Sequence, residues 1–363
     1  MSRIAVLTPS ITTGDAVSND VLGMYDVLKR QNGNDVRVFA EGWMLDRPRV
    51  WPSSQVESFL KKSTDVLIYH YSRGWEPGLD FLRRLKCRKI IKYHNITPPQ
   101  FFARYNGEYA AMCTAGRAQL EPVARADCDL YLSASGYNMR ELVTAGAPLS
   151  KSFVVPPFHQ IDRLNSIDPD RGLSEELRDG KTNICMVGRV SPNKGHPALI
   201  EAFAAYHHDY NPNSRLMIVG KEEIRLAKYS TLLRQMAKRL KMKSSVVFTG
   251  EVSDSALKAL YVASHVFMIT SDHEGFCVPL VEAMAMKVPI VAYASSAIPE
   301  TLGTAGLMWE ERNPYLLAES INSIVNDPPL CEGLRAMGWR RYLEHFTNTR
   351  IEAGFLSAIN QFI

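Results

Sequence analysis

Two carboxylates eight residues apart, Glu274 and Glu282, mark the stretch SDHEGFCVPLVEAM at residues 271–284. An apolar, β-like run, HVFMIT (265–270), leads into it, and another, VPIVAY, begins at Val288. The pattern between them is helical, with Pro279 where a proline suits the first turn of a helix. A helix opening there leaves the amides from about Val278 to Val281 unpaired, and such amides bind phosphate oxygens. Glu282, in that helix, can accept hydrogen bonds from two ribose hydroxyls. Glu274, on the loop before it, would repel a phosphate; it suits a neutral polyol such as a sugar ring, or a developing cation. Singly, Glu282 reads equally well as a helix-dipole acid and Glu274 as a solvated loop acid. Together they point to a nucleotide site.

A second group, VGRVSPNKG (187–195), follows the strand-like run NICMV. Gly188 permits close backbone approach, and Arg189 and Lys194 put two positive charges at one strand end. A forked guanidinium and a mobile ammonium suit a diphosphate. Gly195 then opens a helix whose amides favour anions. A charged turn without a ligand would carry the same residues. No G-x-x-x-x-G-K-[ST] is present and no G-x-G-x-x-G stands at a strand end, which disfavours a P-loop and an NAD-dependent oxidoreductase. A third group, FTGEV (248–252), offers a glycine and backbone up to Val252 that could meet a base edge.

These groups need strand ends to hold them. Residues 3–8, 35–40, 65–70, 89–94, 129–133 and 153–155 read as strands, with a helix from about Val17 to Gln31 and another over 135–146. The alternation restarts at 183–187, 215–219, 245–248, 265–270 and 288–293. Strands alternating with helices predict parallel sheets with right-handed crossovers, and ligands at the strands' C-terminal ends. The polar, proline-interrupted stretch 156–181 reads as a linker. The expected fold is α/β: two doubly wound Rossmann-like domains facing across a cleft, 1–165 and 166–345. A C-terminal helix at about 346–363 is free to pack back on the first domain.

With 363 residues the chain can bury two full cores, and its 46% hydrophobic and 22% charged content excludes large-scale disorder. No apolar run reaches about 18 residues, so no membrane-spanning helix is expected, and the N-terminus lacks the apolar core and cleavage site of a signal peptide. Six widely spaced cysteines argue against a zinc site or a disulfide framework and fit a cytoplasmic protein. Residues 1–165 carry 21 basic and 16 acidic side chains, against 21 and 22 in the remainder. This basic half, with the run FLRRLKCRK (81–89), allows peripheral contact with the anionic inner face of a membrane; a solvated basic surface is the plainer reading. No nucleic-acid partner is expected.

The pairing of GRVSPNKG with the later EGFCVPLVE resembles the retaining family-4 glycosyltransferases, the group 1 glycosyl transferases of GT-B fold. The resemblance runs over essentially the whole chain, including FTGEV and the VVP segment before the linker. It implies that Arg189 and Lys194 hold a donor diphosphate, aided by Gly188, and that Glu282 binds the ribose. It places Glu274 near the reacting face of the donor sugar. Gly275, Phe276, Cys277, Val278, Pro279 and Leu280 would line sugar and phosphate, with Val252 beside the base. His94, in IIKYHNITPP, matches a family histidine that touches the donor sugar. Gly14 matches the glycine loop approaching phosphate, while Asp15, His70 and Tyr71 are expected on the acceptor side.

Two departures stand out: PPFHQID (156–162) replaces the family's N-G-V/I-D, and Lys221 follows Gly220 where a second glycine is usual. The resemblance implies transfer of a hexose with retention from a nucleotide sugar, UDP-glucose or a similar UDP-hexose first and GDP-mannose next. The acceptor would be a saccharide or lipid-linked saccharide in polysaccharide or envelope assembly. No metal and no cofactor beyond the nucleotide-sugar co-substrate are expected. The alternatives are a sugar-nucleotide epimerase of the same fold and a non-catalytic nucleotide-sugar-binding protein.

Overall fold

A computed structural model describes residues 2–31 and 33–362. The chain divides into two compact units, one of residues 1–99, 110–160 and 347–363, the other of 100–109 and 161–346. The division falls at 160/161 instead of 165/166. Residues 100–109, expected in the first half, belong to the second unit.

Among the described residues the first unit holds a seven-stranded sheet in the order β3-β2-β1-β4-β5-β6-β7. The strands are β1 Arg3–Ile11, β2 Asp35–Trp43, β3 Val50–Pro52, β4 Val66–Tyr71, β5 Arg88–Tyr93, β6 Leu130–Ser133 and β7 Ser152–Val154. Every pairing is parallel. Both faces are covered, one by a core around Tyr69, Tyr71 and Tyr93, the other by one around Val21, Met24 and Ile68. The C-terminal helix Asn348–Ile359 joins that second core through Ile351, Phe355 and Ile359. The basic run 81–89 is not one helix: the helix Glu76–Arg84 ends within it, and β5 begins at Arg88.

The second unit has a six-stranded parallel sheet, β10-β9-β8-β11-β12-β13. Its strands are β8 Thr182–Val187, β9 Ser214–Val219, β10 Val246–Gly250, β11 Val266–Ile269, β12 Ile290–Tyr293 and β13 Leu307–Trp309. Both units are therefore doubly wound Rossmann-like domains. In each sheet the strand order reverses beside a central strand, between β1 and β4 and between β8 and β11, and open parallel sheets bind ligands at such reversals. Among the described residues no helix is long and apolar enough to cross a membrane.

Candidate functional site

In the second unit, strands β8 and β11 are hydrogen-bonded neighbours, which brings two sequence-distant loops together. The loop after β8 carries Gly188 to Gly195; the loop after β11 carries Ser271 to Cys277. Buried Asn193 joins them: its carbonyl accepts from the amides of Asp272 (2.8 Å) and His273 (3.2 Å), and its side-chain amide donates to the His273 carbonyl. Thr270 adds a hydroxyl bond to the Gly195 carbonyl at 3.0 Å. Gly195 has φ +64°, and a Cβ there would lie 1.9 Å from the Thr270 carbonyl oxygen, so neither the conformation nor the space admits a side chain. Gly220 is likewise a packing residue, since a Cβ would lie 2.2 Å from the Gly188 carbonyl oxygen.

Across this joint Lys194 Nζ lies 2.7 Å from Glu274 Oε1, and both side chains are largely buried. The Ser271 hydroxyl donates to the same oxygen at 2.7 Å, and the Glu274 amide donates to Ser296. Oε2 of Glu274 makes no hydrogen bond among the described residues. Glu274 is thus a fixed carboxylate with one oxygen committed to a cation and the other available. Lys194 also runs beside Gly188, whose would-be Cβ would stand 3.6 Å from the lysine Cε.

The helix Val278–Ala285 begins at Cys277, with Pro279 in its first turn as the sequence suggests. Cys277 is left-handed, φ +75°, an uncommon conformation for a residue with a side chain. Its thiol is buried, and burial, with Glu274 adding, pushes its pKa well above the ordinary range, so it is no nucleophile. The amide of Leu280, expected to be free, is already bonded to the Cys277 carbonyl at 3.1 Å, and its side chain is core. The Phe276 carbonyl accepts from Thr301. Val278, Pro279 and Gly275 are partly exposed at the helix opening.

Glu282 lies one turn along this helix, partly exposed, and accepts from the Tyr261 hydroxyl at 2.7 Å through Oε2. Burial raises its pKa, Tyr261 opposes that, and Asp254 adds to it. Tyr261, on the helix Asp254–Val262, therefore aims the carboxylate. Val252 precedes that helix and is partly exposed.

Arg189 is half exposed and pairs with Glu223 at 2.5 Å and with the Tyr109 hydroxyl at 3.2 Å. Tyr109 belongs to the excursion 100–109, which packs on this unit through Phe101 against His273 and Tyr105 against Tyr229. Sequence reasoning missed Asn193, Tyr261, Glu223 and Tyr109. The first two sit in or beside quoted motifs, where a buried polar partner is the expected complement of a charged group; the other two carry no local signal.

The first unit places its candidates differently. Gly14 is left-handed (φ +81°) with open space around it, so its backbone demands glycine while its surroundings do not. Asp15, expected on the acceptor side, caps the helix Ala16–Arg30, accepting from the amides of Val17 and Ser18 and from the Thr12 and Ser18 hydroxyls. His70 and Tyr71, both expected on the acceptor side, are successive strand residues and face opposite ways. Tyr71 is fully buried with Tyr93, its hydroxyl on the Gly116 carbonyl. His70 is fully buried on the other face, its Nδ1 2.9 Å from Nε2 of His94. His94 follows β5 and keeps slight exposure.

Residues 173–339 match the family model described as "Glycosyl transferases group 1". The chain is 27% identical over 182 residues to a mannosylfructose-phosphate synthase of Agrobacterium fabrum, covering 48% of this chain and 40% of that one. It is 29% identical over 231 residues to a GDP-mannose-dependent alpha-(1-6)-phosphatidylinositol monomannoside mannosyltransferase of Mycolicibacterium smegmatis, covering 60% and 58%. The matched region thus spans about half the length of these curated relatives. Among solved structures, HepE of Anabaena in complex with UDP-glucose superposes with a TM-score of 0.78 at 18% identity, covering 99% of this chain and 100% of that one. WaaG, a glycosyltransferase involved in lipopolysaccharide biosynthesis, gives 0.72 at 14% identity over 98% and 99%. These two likenesses establish the fold, GT-B.

Proposed function

We propose that this chain, which belongs through residues 173–339 to the group 1 glycosyl transferases, transfers a hexose from a nucleoside-diphosphate sugar to a hydroxyl acceptor. The observation that carries the reading is the buried Lys194–Glu274 pair at the reversal of the second sheet, beside a helix opening and a Tyr261-aimed Glu282. Lys194 and Arg189, each offset by one carboxylate in Glu274 and Glu223, and the helix opening offer donors for a diphosphate leaving group. Such preorganised donors stabilise charge as it develops. They supply what a divalent cation could otherwise supply, so no metal is required in this reading. The free oxygen of Glu274 suits a sugar hydroxyl, and Glu282 suits the ribose.

Retention follows from a front-face route. The acceptor oxygen bonds to the anomeric carbon as the bond to the phosphate oxygen breaks, and the acceptor proton passes to the leaving phosphate. UDP-glucose is the first donor to test and GDP-mannose, named for a mycobacterial relative, the second. A saccharide or lipid-linked saccharide is the acceptor class. Exposed Arg83, Arg84 and Lys86 support a lipid-linked acceptor met at an anionic membrane face.

A thermal-shift screen of UDP-glucose, GDP-mannose and ADP-glucose tests the donor, because a ligand bound only by the folded state raises its melting temperature. Strong stabilisation by GDP-mannose alone overturns the UDP choice, and none by any of the three overturns the nucleotide site. Calorimetry tests Glu282. Glu282→Ala should weaken binding of the stabilising nucleotide at least tenfold, whereas wild-type affinity in that variant would remove the ribose role.

A further inference from the structure

Four ionisable side chains meet inside the first unit, on the sheet face opposite the tyrosines. His70 on β4 pairs in register with Lys92 on β5, and His94 lies two residues beyond Lys92, so all three project to the same side. The helix Ala16–Arg30 covers them and supplies Asp20. Asp20, His70 and Lys92 are completely buried. Oδ2 of Asp20 lies 3.5 Å from His94 Nε2, 3.6 Å from Lys92 Nζ and 3.9 Å from His70 Nδ1. Oδ1 accepts from the Phe158 amide at 2.8 Å, and Lys92 donates to the Val155 carbonyl.

Within this cluster two buried atoms, Asp20 Oδ2 and His70 Nε2, have no hydrogen-bond partner among the described residues. The carboxylate and the two imidazoles lie close enough to suggest a metal triad. The charge count speaks against one. Asp20 and Lys92 already balance, and a divalent ion would leave two uncompensated positive charges in the core. A single shared proton fits instead.

His70 Nδ1 and His94 Nε2, 2.9 Å apart, share one hydrogen bond, so a proton lies between them whichever ring owns it. Asp20 faces that proton in both arrangements and hardly distinguishes them. The difference lies in where the remaining ring proton sits. If His94 donates, His70 accepts at Nδ1 and must carry its own single proton on Nε2, a buried N–H with no acceptor among the described residues. If His70 donates, the remaining proton sits on Nδ1 of His94, the one side chain of the four that is not completely buried. Orphaned buried N–H groups are rarer and costlier than orphaned acceptors.

We infer that His70 is a positioning residue for His94: His70 donates through Nδ1 into His94 Nε2, and His94 presents Nδ1–H outward as a donor to a ligand oxygen. In this state His94 is no general base, since one nitrogen is occupied and the other already protonated. The group it meets is an acceptor oxygen, such as a sugar hydroxyl or a phosphate. The assignment rests on the proposed function only in taking His94 to touch a ligand.

Long-range proton–nitrogen correlation spectra of the full chain, labelled on histidine nitrogen, read the tautomers directly. Both rings should be neutral and protonated on Nδ1 from pH 6 to 8. A His94 protonated on Nε2, a doubly protonated His94, or stoichiometric zinc or iron in elemental analysis would overturn the assignment. Variants then test positioning, with turnover read as UDP release from UDP-glucose or GDP release from GDP-mannose, whichever the wild type consumes. His70→Leu should lower kcat about tenfold with KM within twofold. His70→Asn, whose amide nitrogen takes the place of Nδ1, should restore most of it. Equal losses in the two variants, at equal melting temperatures, count against positioning. An unchanged turnover in His94→Ala would instead remove the ligand role of His94 and leave the tautomer standing.

Discussion

Cys277 holds the left-handed backbone that turns the chain from the Glu274 loop into the helix Val278–Ala285, and it does so with a side chain in place. A non-glycine residue in that conformation costs about 1–2 kcal/mol. The thiol offsets part of this by being buried. The two terms separate by substitution. Cys277→Ala keeps the conformational cost and loses the sulfur's packing, whereas Cys277→Gly loses the sulfur but removes the cost. The glycine variant should therefore be the more stable by about 1 kcal/mol, the reverse of the order these residues follow inside a helix. Melting temperatures of the two proteins measure it, and an alanine variant at or above the glycine one would show that the strain is not real. Glu274 lies on the loop that ends at this turn, so the packing that maintains the strain also fixes the loop that presents Glu274.

At the scale of elements, the site exists because β8 and β11 are neighbours, and the contact between their loops leaves no room for a methyl group at Gly195. Gly195→Ala should force the β8 loop away from Thr270, lengthening the Lys194–Glu274 pair. A melting temperature lower by several degrees and at least tenfold weaker nucleotide binding are the expected result. Unchanged binding would mean that the joint does not organise the site. Most of these elements were legible beforehand. Apolar runs flagged by glycine and proline located β8 to β12 within one or two residues, and the motifs fell at their C-terminal ends. The short edge strands β3 and β13 carry too few residues for a period to show. The excursion 100–109 left no mark, since its membership depends on contacts far along the chain. Lys92 did leave one: a lysine inside IIKYH, in a parallel sheet covered on both faces, must be buried and needs a partner. Asp20 was hidden because an acid on an amphipathic helix normally faces water.

For the molecule as a whole, histidines buried without charge couple folding to pH in both units. Burial holds His70 and His94 well below the ordinary histidine range. In the second unit His196 is pushed down to about 3, by burial first, with Lys194 adding and a backbone hydrogen bond near Ser191 opposing; Nδ1 lies 3.2 Å from the Tyr229 hydroxyl. The unfolded chain titrates near 6.5. Below that value it binds protons that the folded protein refuses, so the stability present above pH 6.5 is lost as pH falls toward the folded value. At pH 5 the loss from one such group is about 2 kcal/mol, and it stays near that figure for any folded pKa below about 4.5. Buried acids with raised pKa values, Asp20 and Glu282, act in the opposite direction, so the wild-type profile alone does not isolate the histidine. A non-titrating amide does. His196→Gln should melt below the wild type at pH 7, having lost the fit against Tyr229, yet lose less on going to pH 5, by about 2 kcal/mol. If both proteins drop equally between pH 7 and pH 5, His196 takes up its proton in the folded state and the second unit is not acid-labile through this residue.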